Sequence, residues 1–265
     1  MSLAFREALP DGDPHGTVLL LHGYPESSHM WREVLPRIAG AGWRAVAPDL
    51  AGLGDSPTDR PGTWERHVES IQRFAEEQDL GRVVLAVHDW GGLIGLAWAC
   101  DHPESVAGLV ISDTGFFSDG KWHGMGQAMR TEGQGEELLA GMTREGLGAM
   151  LRQISPGMRE ADVDEYWKGY EGEDRRAMHL DFYRSMDFEK LAPYEGRLGQ
   201  LDVPAILIWG GQDQFAPVAG AHRFKREIPA AELVVLDVAG HFVWDDEPER
   251  AGDALVGFLE RTASV

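Results

Sequence analysis

The sequence predicts an α/β fold, a mainly parallel sheet flanked by helices with an inserted helical cap, and three observations predict it. Short apolar runs alternate with helix-length stretches over most of the chain, as strand–helix–strand crossovers require. The alternation stops between about residues 115 and 190, where strand signals vanish and helical polar–apolar stretches take over. It resumes at Pro204-Ala205-Ile206-Leu207-Ile208-Trp209. The expected organisation is therefore one core made of residues 1–114 and 191–265, and a cap subdomain made of residues 115–190.

Runs at residues 18–21, 44–47, 83–87, 109–112, 205–209 and 233–236 are short and apolar, as strands buried under helices are. Helices are expected near residues 31–40, 64–79, 91–101, 217–228 and 248–261. The cap segment holds seven of the nine methionines, Met125, Met129, Met142, Met150, Met158, Met178 and Met186. Methionine adapts to irregular gaps, so helix packing accounts for most of them and a few can line an apolar pocket.

Composition excludes several functions. A formal charge of −20 repels nucleic acid and anionic membrane surfaces; it also disfavours anionic substrates, although a local site can oppose the global field. Cys100 is the single cysteine, so no disulfide framework is possible and a small core hydrophobe is expected there. The first residues lack the apolar stretch of a signal peptide and no segment approaches membrane-spanning length, from which a cytoplasmic enzyme is expected. The ten histidines lack the paired spacing of a zinc site, and neither metal nor cofactor is expected. Oligomeric state leaves no mark in the sequence.

The most informative residues are Val87-His88-Asp89-Trp90-Gly91. An apolar strand runs into them and an apolar helix, Gly91-Gly92-Leu93-Ile94-Gly95-Leu96-Ala97-Trp98-Ala99, runs out. Asp89 is thereby placed on a tight strand-to-helix turn, where a nucleophile elbow presents serine. His241 follows another apolar run and a glycine, Gly240, and is expected at the same sheet edge. Two acids compete to orient it, Asp213 after the run 205–209 and Asp113 after the run 109–112; both turns lie at that edge. The glycines of the loop from Asp49 to Ser56 could suggest a phosphate cradle, but no lysine follows and no helix opens there, so the loop reads as scaffold.

Taken together, His22-Gly23-Tyr24-Pro25-Glu26-Ser27, the Asp49 to Ser56 loop, Val87 to Gly92, Gly211 to Pro217 and Gly240-His241-Phe242 resemble the α/β-hydrolase superfamily. The branch they resemble is that of haloalkane dehalogenases and epoxide hydrolases, and the likeness covers nearly the whole chain. It implies that Asp89 attacks an sp3 carbon to form an alkyl ester, and that His241 then activates water to hydrolyse it. It favours Asp213 over Asp113 as the acid. It also implies an oxyanion hole from the backbone N–H groups of Tyr24 and Trp90. The expected substrate is a small apolar organic molecule together with water.

The leaving group separates the two families. A halide departs as a stable anion and needs only N–H donors, whereas an epoxide oxygen needs an acid. Val87 and Trp90 resemble the dehalogenases, which makes halide the expected product and Trp90 one donor. Tyr24 stands where many dehalogenases carry asparagine, so the second donor is expected from the cap, where Trp122 and Trp167 are the indoles. Epoxide hydrolases use two cap tyrosines; Tyr183 falls where the second is expected, and no tyrosine falls near Ala128-Met129 where the first belongs, although Tyr166 or Tyr170 could substitute. Fluoroacetate dehalogenases carry arginines beside the nucleophile where this chain has Trp90 and Leu93, which excludes a haloacid.

Overall fold

The computed structural model describes residues 2–263. Seven strands form one sheet: β1 Phe5–Ala8, β2 Thr17–Leu21, β3 Arg44–Pro48, β4 Val83–His88, β5 Val106–Ser112, β6 Ala205–Gly210 and β7 Glu232–Leu236. Their order is β1-β3-β2-β4-β5-β6-β7. Only the β1–β3 pair is antiparallel. Every residue of β2, β4 and β6 is buried, which is why those runs show no polar–apolar alternation.

The helices before the first gap in the pattern are α1 Leu35–Gly40, α2 Trp64–Glu77 and α3 Trp90–Asp101. Between β5 and β6 the chain forms α4 Gly124–Arg130, α5 Gln134–Gly141, α6 Arg144–Ile154, α7 Glu160–Trp167, α8 Glu173–Ser185 and the short α9 Arg197–Gln200. The chain closes with α10 Ala219–Glu227, α11 Val243–Asp246 and α12 Pro248–Thr262. Two expectations need correction. The edge strand β1 was not expected, because four half-exposed residues carry too short a pattern. The helix expected over residues 31–40 is split into a 3-10 turn, Ser28–Trp31, and α1; Pro36 has no N–H to continue a helix and is tolerated only in a first turn.

A buried polar cluster joins α7 to the core. Asp162 accepts from the His29 ring at 2.8 Å and lies 3.3 Å from Arg32, whose other nitrogen reaches Asp245 at 2.7 Å. Tyr166 donates to Asp245 at 3.2 Å. These bonds fix the inserted helices to the loop after β2 and to α11, which follows His241. The loop from Asp49 to Ser56 is scaffold as expected: Asp49 accepts from the N–H groups of Ser28 at 2.7 Å and Asp55 at 2.8 Å. Among the described residues, no helix is long and apolar enough to cross a membrane.

Helix α3 is buried from Trp90 to Cys100, and it lies against β2 and β4 because Gly91 has no side chain. A Cβ there would stand 2.3 Å from the Leu21 carbonyl oxygen and 2.8 Å from that of His22. Gly91→Ala must therefore push α3 off the sheet, at a cost of about 1–3 kcal/mol. A urea titration checks this: the midpoint falls with little change in slope, and an unaltered midpoint would contradict the close approach.

Candidate active site

Asp89 sits between the end of β4 and the first residue of α3 with φ +45° and ψ −115°. That backbone is strained for a residue with a Cβ, and it turns the side chain out of the sheet edge. Thr114 holds the turn by donating to the Asp89 carbonyl at 2.7 Å. From the loop after β2, the Tyr24 N–H donates to Asp89 Oδ1 at 2.8 Å. Such proximity depends on Gly23, where a Cβ would meet the Asp89 Cβ at 2.6 Å. The Trp90 N–H opens α3 and has no carbonyl four residues back within the helix.

His241, in the loop after β7, lies between two carboxylates. Its Nδ1 is 2.9 Å from Asp213 Oδ2 and its Nε2 is 3.6 Å from Asp89 Oδ2. Asp213 is itself oriented by the N–H groups of Phe215 at 2.7 Å and Ala216 at 3.0 Å. Asp113 does not reach the imidazole; its Oδ1 accepts from the Gly210 N–H at 2.8 Å. The structure thus brings Asp213 to His241 and leaves Asp113 bracing β6.

Electrostatics separate the acids. Burial opposes ionisation of Asp89, but the bond and charge of His241, the neighbouring His88 and the Tyr24 N–H outweigh it and hold the carboxyl down at about 2. Asp213 is likewise lowered, its burial overcome by His241 and two N–H donors. Asp113 is pushed well above the usual carboxylate range by burial and by the charge of Asp213, so it stays neutral. For His241, burial favours the neutral ring, yet the flanking Asp213 and Asp89 raise it well above 6.5. Beneath the site Glu26 is also held neutral by burial, 3.3 Å from His88, whose own value falls to about 3 for the same reason.

The aromatic residues are placed as follows. The Trp90 indole is stacked between Tyr24 at 4.6 Å and Phe182 at 3.6 Å, with Tyr183 against its edge at 5.0 Å. Burial and the Asp89 charge raise the Tyr183 phenol well above 10, while a hydrogen bond from Trp90 opposes them. The Tyr24 hydroxyl is engaged 2.7 Å from the Tyr170 hydroxyl and 3.2 Å from His179 Nδ1. Neither expected cap indole offers a free N–H to Asp89. Trp122 borders the cavity but donates to the Met186 carbonyl at 3.3 Å. Trp167 stacks on Tyr170 at 5.6 Å and borders none of the cavities beside Asp89 or His241. Tyr166, a possible substitute phenol, is engaged by Asp245.

Three cavities meet at these residues. One of about 310 Å³ runs from Asp89 past Leu93, Phe117, Trp122 and Phe188. A small one of about 30 Å³ lies between Asp89, Tyr183 and His241, and a third of about 360 Å³ opens beside His241, Met125 and Met150. Sequence reasoning missed two of their walls, His123 and Phe215. Phe215 follows Asp213 by two residues and could have been suspected from that spacing. His123 lies in a loop with no periodicity to mark it.

Residues 16–248 match a family model described as alpha/beta hydrolase fold. The chain is 29% identical to a cis-3-alkyl-4-alkyloxetan-2-one decarboxylase of Xanthomonas campestris, over 96% of this chain and 91% of that protein. It is 32% identical to a haloalkane dehalogenase of Sphingobium indicum, over 94% of this chain and 89% of that protein. Its fold is similar to the crystal structure of a haloalkane dehalogenase from Bradyrhizobium elkani, with TM-score 0.84 and 24% identity over 99% of this chain and 95% of that one.

The geometry distinguishes the two acids in a measurable way. Asp213→Asn removes the charge bonded to Nδ1, so the His241 titration falls by about 1–3 pH units; Asp113→Asn replaces a carboxyl that is already neutral and leaves it raised. Histidine NMR titration reads both, and an equal fall in the two variants would contradict the assignment.

Proposed function

Because the chain belongs to the α/β hydrolase fold family, in its haloalkane dehalogenase branch, and is a hydrolase of the haloalkane dehalogenase-like type, we propose that Asp89 is its nucleophile and a haloalkane its substrate. One observation carries this reading: an ionised carboxylate occupies the elbow, with Oδ1 on the Tyr24 N–H at 2.8 Å and Oδ2 facing His241 at 3.6 Å. In this reading residues 115–190 act as the cap, whose α8 lays Phe182 and Tyr183 against Trp90.

Oδ2 attacks the carbon, the carbon–halogen pair leaves with the halide, and an alkyl ester forms on Asp89. No base is needed, since the carboxylate is already ionised at neutral pH. Water then attacks Cγ and gives a proton to His241 Nε2, while Oδ1 becomes the oxyanion on the Tyr24 N–H, joined by that of Trp90. Collapse releases the alcohol, which takes the proton, and the acid ionises again. The sum is haloalkane and water to alcohol, halide and a proton.

The first step also prepares the second. In the free enzyme the charges of Asp213 and Asp89 keep His241 protonated. Esterification removes the Asp89 charge, so the imidazolium is stabilised less, loses its proton and becomes the base. Apolar walls of Leu93, Phe117 and Phe188 suit an alkyl chain.

A second reading, epoxide opening, is favoured by Tyr183. Its phenol lies with Asp89 and His241 around the small cavity, and burial keeps it protonated and able to donate to a ring oxygen. The Xanthomonas relative is itself named for a strained oxygen ring. Diol formation from styrene oxide that is lost in Tyr183→Phe would place this reading first.

Bromide release from 1,2-dibromoethane or 1-bromobutane tests the main reading, and none across a broad haloalkane panel would overturn it. His241→Gln should stall hydrolysis, so that intact-protein mass rises by one alkyl group on Asp89. The pH response has a definite sign. Alkylation requires ionised Asp89, held at about 2, and persists in mild acid; hydrolysis requires neutral His241 and falls about tenfold per pH unit below the value of that residue in the ester. Quenching the wild type at pH 5 should therefore catch more ester than at pH 8, and a fraction that falls with acidity would contradict this coupling.

A further inference from the structure

Resting on the Asp89 reading, the departing halide needs donors, and few uncommitted ones surround it. The Trp122 N–H is held by Met186 and the Tyr24 hydroxyl by Tyr170 and His179. The Trp90 and Tyr183 rings pack edge to face at 5.0 Å, Trp90 bordering the 310 Å³ cavity and Tyr183 the 30 Å³ one.

His123 remains. It is the residue ahead of α4, and its Nδ1 accepts from the Gly126 N–H at 3.4 Å. In the neutral ring that acceptor role places the proton on Nε2, and among the described residues the ring's hydrogen bond to protein is the one at Nδ1. His123 borders both the 310 Å³ and the 30 Å³ cavities together with Asp89. Its ring stands edge-on to Phe215 at 5.1 Å, and Phe215 packs on His241 at 5.1 Å. Burial lowers its basicity and the charge of His241 lowers it too, against the raising effect of Asp89 and Asp213, so the ring that borders the cavity is neutral.

We propose that the His123 Nε2–H is the second hydrogen-bond donor to the halide that leaves when Asp89 attacks, completing a site whose other side is Trp90 and Tyr183. His123 keeps its proton throughout. The carbon–halogen electron pair goes to the halide, which accepts the bond, and the carbon takes the Asp89 oxygen. Donation to a developing anion strengthens as its charge becomes more concentrated, so chloride should depend on His123 more than iodide.

The test uses His123→Phe and His123→Gln, each combined with His241→Gln so that alkylation alone is read by intact mass, with 1-chlorobutane, 1-bromobutane and 1-iodobutane. Phenylalanine should slow ester formation on the order of tenfold or more for the chloride and least for the iodide, and glutamine, which retains an N–H, should recover much of the loss. Bromide binding, followed by tryptophan fluorescence, should weaken in His123→Phe, and a thermal melt separates misfolding from lost donation. Alkylation that ignores His123, or that slows equally for all three halides with unchanged bromide binding, would overturn the donor role alone. If His241→Gln with His123 intact forms no ester, the Asp89 reading fails and this one with it.

Discussion

The strained turn at Asp89 is the constraint on which the rest of the site depends. A strand buried on both faces runs straight into a helix buried on every side, and no spare residue exists to relax the junction. The φ of +45° at Asp89 is tolerable only because Thr114 ties down its carbonyl and because Gly23 and Gly91 let neighbouring backbone approach. The same crowding delivers the Tyr24 N–H to one carboxylate oxygen. Backbone strain, the Tyr24 N–H contact and the orientation of the Asp89 carboxylate are thus one arrangement.

Charge is distributed around that turn with equal economy. Asp89, His241 and Asp213 hold one another ionised, whereas Asp113 and Glu26, buried nearby, stay neutral. Neutral acids can brace backbone N–H groups, those of Gly210 and Gly23, without adding like charge to the site. The farther cluster of Asp162, Arg32 and Asp245 keeps its charges in contact with one another and anchors α7. It thereby sets the position of the inserted helices over the cavity without entering the chemistry.

The inserted helices decide what the carboxylate meets. Phe182 and Tyr183 arrive from α8 and His123 from the loop ahead of α4, so the walls beside Asp89 are built from segments far apart in the chain. Trp122 was expected as a donor because Tyr24 stands where many dehalogenases carry asparagine, which leaves the second donor to an indole of the inserted segment. Its N–H instead donates to the Met186 carbonyl, which also accepts from Arg130.

How far the sequence reaches follows from the range of each interaction. The strands, the strand-to-helix turn at Asp89 and the glycine before His241 were legible because hydrophobic period and turn chemistry are local properties written in consecutive residues. The antiparallel edge β1 and the break before Pro36 were missed where that local signal is only a few residues long. The family resemblance already favoured Asp213 over Asp113, and the structure brings Asp213 to His241; the engagement of Trp122 and Trp167 and the place of His123 at the cavity wall were decided by tertiary structure alone. Each depends on which hydrogen-bond partner a distant element brings within about 3 Å, and no periodicity in the chain records that.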